Sequence, residues 1–254
     1  MIRAGPSGIG GVKEAPKVFE EYSKLGIKCA EIPFTYGVWM NKLQADVIGK
    51  AAKKFGISLS IHAQYWINLN SAESNKIKQS IVRIIKCCEI GHHLGASSVV
   101  FHAGFYVGKT TEETYQQIKK SILEMQKVIK REKWKVKLAP ETTGKRSQFG
   151  SLDELLRLKK ETKCSICIDF AHLLARDGEI DYDVVFKKIK GLKHIHSHFS
   201  GIEFSAKGER RHLITPPAKI KQLLKYIKKY KADITIINES PDPIGDSVKT
   251  LKLL

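Results

Sequence analysis

Histidines and carboxylates end six successive short apolar runs of this chain. The runs are rich in β-branched residues, as buried strands are. Carboxylates brought into one site repel one another, and burying them is costly unless a cation compensates their charge. Imidazole and carboxylate ligands together suit zinc, iron or manganese, and one carboxylate can bridge two such metals. The sequence therefore predicts a metal centre where these ends meet, with ligands, in chain order, His62, His102, Glu141, Asp169, His196 or His198, and Glu239.

Two further histidines are candidates for the same centre. His172 follows Asp169 by three residues, so both side chains can face the same way if a helix begins at once. His212 lies in a long loop after the seventh run. By contrast, the adjacent pair His92 and His93 falls at the end of a predicted helix, where imidazole complements the helix dipole, and we interpret the pair as structural.

The elements that must position these residues alternate regularly along the chain. Eight strand-like runs are separated by segments of helical period, and neither a linker nor a change of composition divides them. This alternation predicts an α/β protein with a single (β/α)8 TIM barrel over residues 1–254, whose active-site face is built by the loops that follow the strands. The predicted strands are 2–4, 29–33, 58–62, 98–102, 136–141, 165–169, 194–198 and 234–239, and the predicted helices lie near 15–25, 42–54, 75–94, 111–131, 151–160, 181–189, 216–229 and 243–253.

The composition excludes two broad classes of protein. Hydrophobic residues make up 42% of the 254 residues, which is too many for a disordered polyelectrolyte. No stretch approaches the ~20 apolar residues of a membrane helix. The excess of 44 Lys+Arg over 26 Asp+Glu, a formal charge of +18, has two interpretations that remain open: solvated helix faces, or attraction to a polyanion.

The five cysteines are odd in number and sparse, which favours a reducing compartment over a disulfide framework. Cys164 and Cys167 form a C-x-x-C, but no second such pair exists to complete a zinc ribbon, so we interpret them as buried strand cysteines. The first residues lack the order of a signal peptide, and the expected location is cytoplasmic.

Five motifs together resemble the endonuclease IV (type 2 AP endonuclease) family within the xylose isomerase-like barrels. They are SIHAQYWINL at 60–69, VFHAG at 100–104, APETT at 139–143, IDFAH at 168–172 and INE at 237–239, in the family's order and over nearly the whole chain. The resemblance implies a TIM barrel that holds three zinc ions and hydrolyses double-stranded DNA on the 5′ side of abasic sites, leaving a 3′-hydroxyl. It implies a metal-activated hydroxide as the attacking group, with Glu141 orienting it through the metals that it holds.

The same resemblance implies a ligand set. His62 and His102 hold one metal, and Glu141 bridges it to a second. Asp169, His196 and Glu239 complete the second site, while His172 and His212 form most of the third. His196 is the preferred strand-seven ligand, although strand alternation turns His198 to the same face.

One position departs from the family. Its third site takes a carboxylate two residues before the loop histidine, where this chain has Arg210, and arginine cannot ligate a cation. Either Glu209 or Glu203 substitutes, or the third metal is weak or absent and Arg210 binds a phosphate instead. The expected cofactor is therefore two to three zinc ions, with manganese or iron as alternatives.

The resemblance also implies how DNA is held by this protein, which is expected to be a monomer. Tyr65 and Trp66 stand where the family inserts side chains into the duplex, and aromatic rings suit stacking and wedging. Lysines around the mouth would then contact phosphates without reading sequence.

Two other functions remain open. The first keeps the barrel and the metals but acts on sugars, as an isomerase or epimerase of the xylose isomerase-like group; the basic surface and Tyr65-Trp66 speak against it. The second is a protein that binds damaged DNA without cleaving it. A binding protein would show salt-dependent DNA affinity without metal-dependent cleavage, whereas an isomerase would show neither.

Overall fold

Strands and helices alternate from the first residues to the last. The structure, a computed structural model, describes all 254 residues. In chain order the elements are β1 Ile2–Pro6, α1 Ala15–Lys24, β2 Cys29–Pro33, α2 Lys42–Lys54, β3 Ser58–His62, α3 Ser74–Leu94, β4 Ser98–Phe101, α4 Thr111–Arg131, β5 Lys137–Pro140, α5 Leu152–Thr162, β6 Cys167–Asp169, α6 Phe170–Asp177, α7 Tyr182–Ile189, β7 Ile195–Phe199, β8 Gly201–Ser205, β9 Gly208–Leu213, α8 Pro217–Lys229, β10 Ile234–Asn238 and α9 Pro243–Lys252. None of the helices combines the length and the apolar character needed to cross a bilayer.

Eight of the strands close into a parallel barrel. Four pair in the order β1-β10-β7-β6 and four in the order β2-β3-β4-β5. Parallel bridges join the two groups, from Ser7 to Glu31 on one side and from Glu141 to Cys167 on the other. The predicted (β/α)8 TIM barrel is therefore confirmed, and the carboxyl ends of all eight strands meet at one end of it, which we call the mouth.

The two faces of the barrel strands differ in chemistry. Outward-facing side chains such as Ile61 and Leu138 pack with the helices in a core of 55 buried residues. Inside the barrel the buried apolar cluster is reduced to Val100, Ala139 and Cys167. The folding energy therefore comes mainly from the strand–helix layer, and the interior is left for polar side chains.

Burial of the cysteines agrees with their interpretation as structural. All five are buried and free, including Cys164 and Cys167. Cys167 begins β6, whereas Cys164 lies three residues earlier, outside the strand. The C-x-x-C is therefore a stretch of buried chain with no disulfide.

Helix α6 was not among the predicted helices, although it places a candidate ligand. It starts directly after β6, because the Asp169 side chain accepts a hydrogen bond from the His172 backbone N–H at 2.8 Å and caps the helix. A helix thus begins at once after Asp169, as we required for His172 to face the same way. Asp169 and His172 lie one turn apart at the mouth.

The segment after β7, expected to be a loop, contains an antiparallel hairpin of β8 and β9. Glu203 pairs with Arg211 and Phe204 pairs with Glu209, so Arg210 is the extra residue of a β-bulge. A bulge shifts the alternation of side chains by one residue. As a result, Glu209 and His212, three residues apart, turn to the same side of the hairpin.

Candidate metal centre

The mouth of the barrel gathers most of the predicted ligands. A cavity of about 260 Å³ is lined there by Ser7, His62, Tyr65, His102, His172, Glu209, His212, Glu239 and Ser240. Its metal-competent side chains, with the buried Glu141, Asp169 and His198 beneath them, fall into three groups. In each group the ligand atoms lie within 4.8 Å of one another.

Site A consists of His62, His102 and Glu141. The Nε2 atoms of both histidines lie 3.1 Å from Oε2 of Glu141. Nδ1 of His62 lies 2.7 Å from the carbonyl oxygen of Ala63, to which it donates. Its proton is therefore on Nδ1 in the neutral ring, and Nε2 offers a lone pair to a metal.

Site B consists of Glu141, Asp169, His198 and Glu239. Nδ1 of His198 lies 2.9 Å from Oε1 of Glu141 and 3.4 Å from Oε2 of Glu239. Glu141 thus turns one oxygen toward site A and the other toward site B. A carboxylate placed in this way could bind one metal in each site.

Site C consists of His172, Glu209 and His212. Nε2 of His172 lies 3.4 Å from Oε2 of Glu209, and Nε2 of His212 lies 3.9 Å from Oε1. The far nitrogens are anchored: Nδ1 of His172 donates to the Thr142 carbonyl at 3.0 Å, and Nδ1 of His212 lies 2.6 Å from the Ser200 hydroxyl. Both rings therefore present Nε2 to the carboxylate.

Glu209, one of the two substitutes considered, supplies the carboxylate of site C. Its backbone N–H donates to the Gly144 carbonyl at 3.0 Å, which fixes the hairpin against the loop after β5. The approach is close enough that a Cβ on Gly144 would lie 2.7 Å from Cβ of Glu209. Arg210, by contrast, is exposed and pairs with Glu203 at 3.3 Å, so it lies outside site C.

The preferred strand-seven ligand needs correction. His198, not His196, stands against Glu141 and Glu239, while Nε2 of His196 lies 3.1 Å from Oε2 of Glu31. Both histidines face the interior, but His196 lies two residues nearer the amino end of β7 and so one layer below the mouth.

Glu31 was missed in the sequence, although it touches this centre. Its Oε1 lies 2.9 Å from Nε2 of His198, and its Oε2 accepts a hydrogen bond from the Ser60 hydroxyl at 2.7 Å. Glu31 thus orients His198 from below, with Nδ1 facing site B. The available signal was a lone carboxylate within the buried strand β2.

Cys167, His196 and His198 form a further group that could in principle hold a metal, one layer down. Burial raises the pKa of the Cys167 thiol well above its usual range, so the neutral form prevails. His198 also directs its lower nitrogen at Glu31. We assign no metal to this group.

In the metal-free protein, protonated imidazoles balance the negative charge of the carboxylates in the centre. Burial opposes ionisation of Glu141, but the imidazoles around it, His198 and His102 foremost, hold its pKa well below its usual range. Burial also opposes the charged form of His62, yet the bond to Glu141 raises its pKa to about 9. Burial raises the pKa of Asp169. Burial also opposes ionisation of Glu209, but the neighbouring His172 lowers the pKa of Glu209 to about 2.

The donor set fits divalent metals. Several buried polar atoms at the mouth lie near a charged neighbour but make no hydrogen bond of acceptable geometry, although such atoms are normally satisfied. Cations at sites A, B and C would satisfy them and would replace the protons that the imidazoles otherwise carry. The unpartnered atoms are Oε1 of Glu141, Oδ2 of Asp169, Nε2 of His172 and Nδ1 of His198.

Aromatic side chains stand exposed around the mouth. Tyr65 is 60% exposed and lines the cavity, with its ring 5.9 Å from that of His62. Trp66 is 48% exposed, and its ring lies 6.2 Å from that of Tyr36. Trp39 and Phe105 are also exposed. Apolar rings presented to solvent beside a polar site are typical of a recognition surface.

Sequence comparison finds relatives along the whole chain. The uncharacterized protein MJ0133 of Methanocaldococcus jannaschii is 35% identical over an alignment 268 positions long, which covers 99% of this chain and 96% of that protein. An endonuclease 4 homolog of Dictyostelium discoideum is 26% identical over 216 residues, which cover 75% of this chain and 38% of that protein. The resemblance to endonuclease IV carried by the motifs is confirmed.

Three solved structures share the fold. SacUVDE is superposed with a TM-score of 0.76 at 17% identity, covering 96% of this chain and 85% of that one. Endonuclease IV from Thermus thermophilus gives 0.70 at 19%, with 98% and 97% covered. The 3-keto-D-glucoside 4-epimerase YcjR from E. coli gives 0.70 at 13%, with 99% and 98% covered.

The family comparison agrees with this architecture. Residues 19–253 match the family described as xylose isomerase-like TIM barrel. This chain is therefore a member of the xylose isomerase-like TIM barrel family.

Proposed function

We propose that the protein is a metal-dependent DNA repair endonuclease that cleaves the phosphodiester 5′ to abasic sites and leaves a 3′-hydroxyl. The observation that carries the proposal is the division of the mouth into sites A, B and C, with Glu141 shared between the first two. Endonuclease 4 proteins among the relatives support the choice of DNA as substrate.

The chain's own residues have defined tasks in this reaction. Glu141 holds sites A and B together with its two oxygens. The carbonyls of Ala63 and Thr142 fix the rings of His62 and His172. Divalent metals held by sites A, B and C, zinc first and manganese or iron as alternatives, would supply a hydroxide at neutral pH and would offset negative charge on the phosphate. No side-chain nucleophile is required.

The surface around the mouth suits a distorted duplex. Tyr65 stands beside His62 of site A and Trp66 follows it, exposed, so both rings can wedge or stack once a nucleotide leaves the helix. Arg210 and Arg211 project from the hairpin that carries site C and can contact phosphates without reading sequence. Arg210 would therefore contact DNA instead of serving as the metal ligand that the family has at this position.

The test is incision of a duplex that carries one abasic-site analogue, with and without a chelator. We expect chelator-sensitive incision on the 5′ side, with a product that a DNA polymerase can extend from its 3′-hydroxyl. His102→Ala should abolish incision, whereas the matched variant His93→Ala, whose ring binds Asp46 at 3.0 Å far from the mouth, should keep it. Binding without incision in the metal-loaded protein would refute the proposal.

A second candidate is a sugar epimerase, favoured by the likeness to 3-keto-D-glucoside 4-epimerase and by the modest cavity of about 260 Å³ at the mouth. The two candidates separate in one assay series. An epimerase would convert keto-sugars in the presence of metal and leave the abasic duplex intact. It would also retain activity in Trp66→Ala, because Trp66 does not line the cavity.

A further inference from the structure

A second cavity opens at the amino ends of the barrel strands, the end we call the floor. Its volume is about 660 Å³, against about 260 Å³ at the mouth. Small side chains line it at inward positions where barrels usually pack bulky branched residues, among them Cys29, Ser58, Ser98 and Ser165. These small side chains leave the floor of the barrel unfilled.

The floor is lined by five cationic side chains, Arg3, Lys135, Lys137, Lys159 and Lys193, and by no carboxylate. Elsewhere many surface lysines pair with acids, as Lys119 does with Glu161 at 2.7 Å. Around the floor the polar contacts are weak: Lys159 donates to the Cys164 carbonyl at 3.3 Å and Arg3 to the Thr235 hydroxyl at 3.5 Å. The like charges repel one another and lack a counter-charge from the protein.

Two acids contact side chains that line the floor, but neither pairs with its lysines or its arginine: Glu31 binds His196, and Asp233 binds His194. Asp233 lies 3.4 Å from Nδ1 of His194 and 3.6 Å from the terminal amino group. His194 lines the cavity, and burial lowers its pKa, so it serves as a neutral hydrogen-bonding group. The positive charge of the floor therefore remains available to a ligand.

We propose that the floor cavity is a binding site for a small multivalent oxyanion, a phosphorylated metabolite or an inorganic polyphosphate. A volume of about 660 Å³ lies within the range of small-molecule sites, and the concave floor receives a compact ligand rather than a duplex. Several ammonium groups and one guanidinium around one cavity match a ligand with more than one phosphate charge.

The probe is inorganic pyrophosphate, titrated calorimetrically into the full chain as purified at fixed ionic strength. We expect binding at the floor with affinity at least tenfold lower in the double variant Lys137→Ala/Lys193→Ala, distinct from any binding to metals at the mouth. The matched double variant Lys120→Ala/Lys127→Ala, with two exposed lysines of α4, should bind within twofold of the parent chain. His102→Asn should also bind unchanged, because it alters only the mouth. Metal content measured before and after titration excludes heat from metal stripping.

Three outcomes would overturn the proposal. Equal loss in both lysine double variants would show diffuse attraction to a basic surface. Loss in His102→Asn alone would place the anion at the mouth, and unchanged binding in the floor variant would place it elsewhere. If the floor variant fails to fold by circular dichroism, the single variant Lys137→Gln replaces it, with an expected loss of at least threefold. Inorganic phosphate and an adenosine diphosphate titration then separate a free anion from a phosphate ester.

Discussion

At the carboxyl ends of its strands the barrel gathers four carboxylates among five imidazoles, whereas at the amino ends it gathers five lysine and arginine side chains and no carboxylate. The same strands serve both ends: β5 begins at Lys137 and is followed directly by Glu141. The comparison teaches that inward positions along one strand can carry opposite chemistry in successive layers. The donor set of the mouth suits cations, and the uncompensated positive charge of the floor suits an anion.

The largest effect is expected from Glu141→Gln, which removes the charge shared by sites A and B. Because both sites depend on this carboxylate, incision should fall on the order of 1,000-fold. Metal content should fall with it, measured by mass spectrometry of the purified protein. An active Glu141→Gln variant with full metal content would break the account of the mouth.

A smaller effect separates two neighbouring hairpin residues. Glu209→Gln should remove the metal of site C and slow incision roughly 100-fold, because one charge-stabilising element of the site is lost. Arg210→Gln should leave the metal content unchanged, since Arg210 faces Glu203. The metal content of both purified variants tests whether the β-bulge turns Glu209, and not Arg210, toward site C. If Arg210→Gln lost a metal and Glu209→Gln kept it, the assignment of site C would be wrong.

Glu31→Gln tests the layer between mouth and floor. The amide carries no charge to hold Nε2 of His198, which lies 2.9 Å from Oε1 of Glu31, so metal affinity at site B should fall about 10- to 100-fold. Ser60→Ala is the matched control, because it removes a donor to Glu31 without touching His198; its affinity should change less than about threefold. Competitive titration against a metal-sensitive dye measures both. Equal affinities in the two variants would contradict the positioning role.

The smallest effect concerns pH. In chelated protein the pKa of His62 stands at about 9, above the ~6.5 of an unfolded histidine. Its stabilising charge is fully present below pH 6.5 and is lost as pH rises through 9, so the Tm of chelated protein should fall over that window by roughly 10 °C. Metal-loaded protein should show the opposite slope, because metal binding displaces protons. Thermal melts at three pH values with and without chelator distinguish the two.

The strand ends of the mouth could be predicted because alternation and burial act locally. The apolar runs that end in His62, His102, Glu141 and Asp169 are visible in the sequence, and the parallel barrel brings their ends together. The height of each β7 residue within the barrel cannot be predicted from its neighbours in sequence, because it depends on the stagger between adjacent strands. Alternation therefore gave the face of His196 and His198 but not which of them reaches the mouth.

The hairpin was missed for a different reason. Strand β9, Gly208–Leu213, carries four charged or imidazole side chains in succession, and the ribbon packs at the surface, so no apolar alternation marks it. The choice between Glu209 and Glu203 rested on a bulge that only pairing reveals. Glu31 was hidden in a short apolar run, since its partners come from β3 and β7.

The most direct test of the metal centre is anomalous diffraction from crystals of the metal-loaded protein, with the element identified by a fluorescence scan. We predict three anomalous peaks at the mouth: one among His62, His102 and Glu141, one beside His198 and Glu239, and one between His172, Glu209 and His212. A single peak, or peaks beside Cys167 and His196 with sites A and C empty, would contradict the assignment.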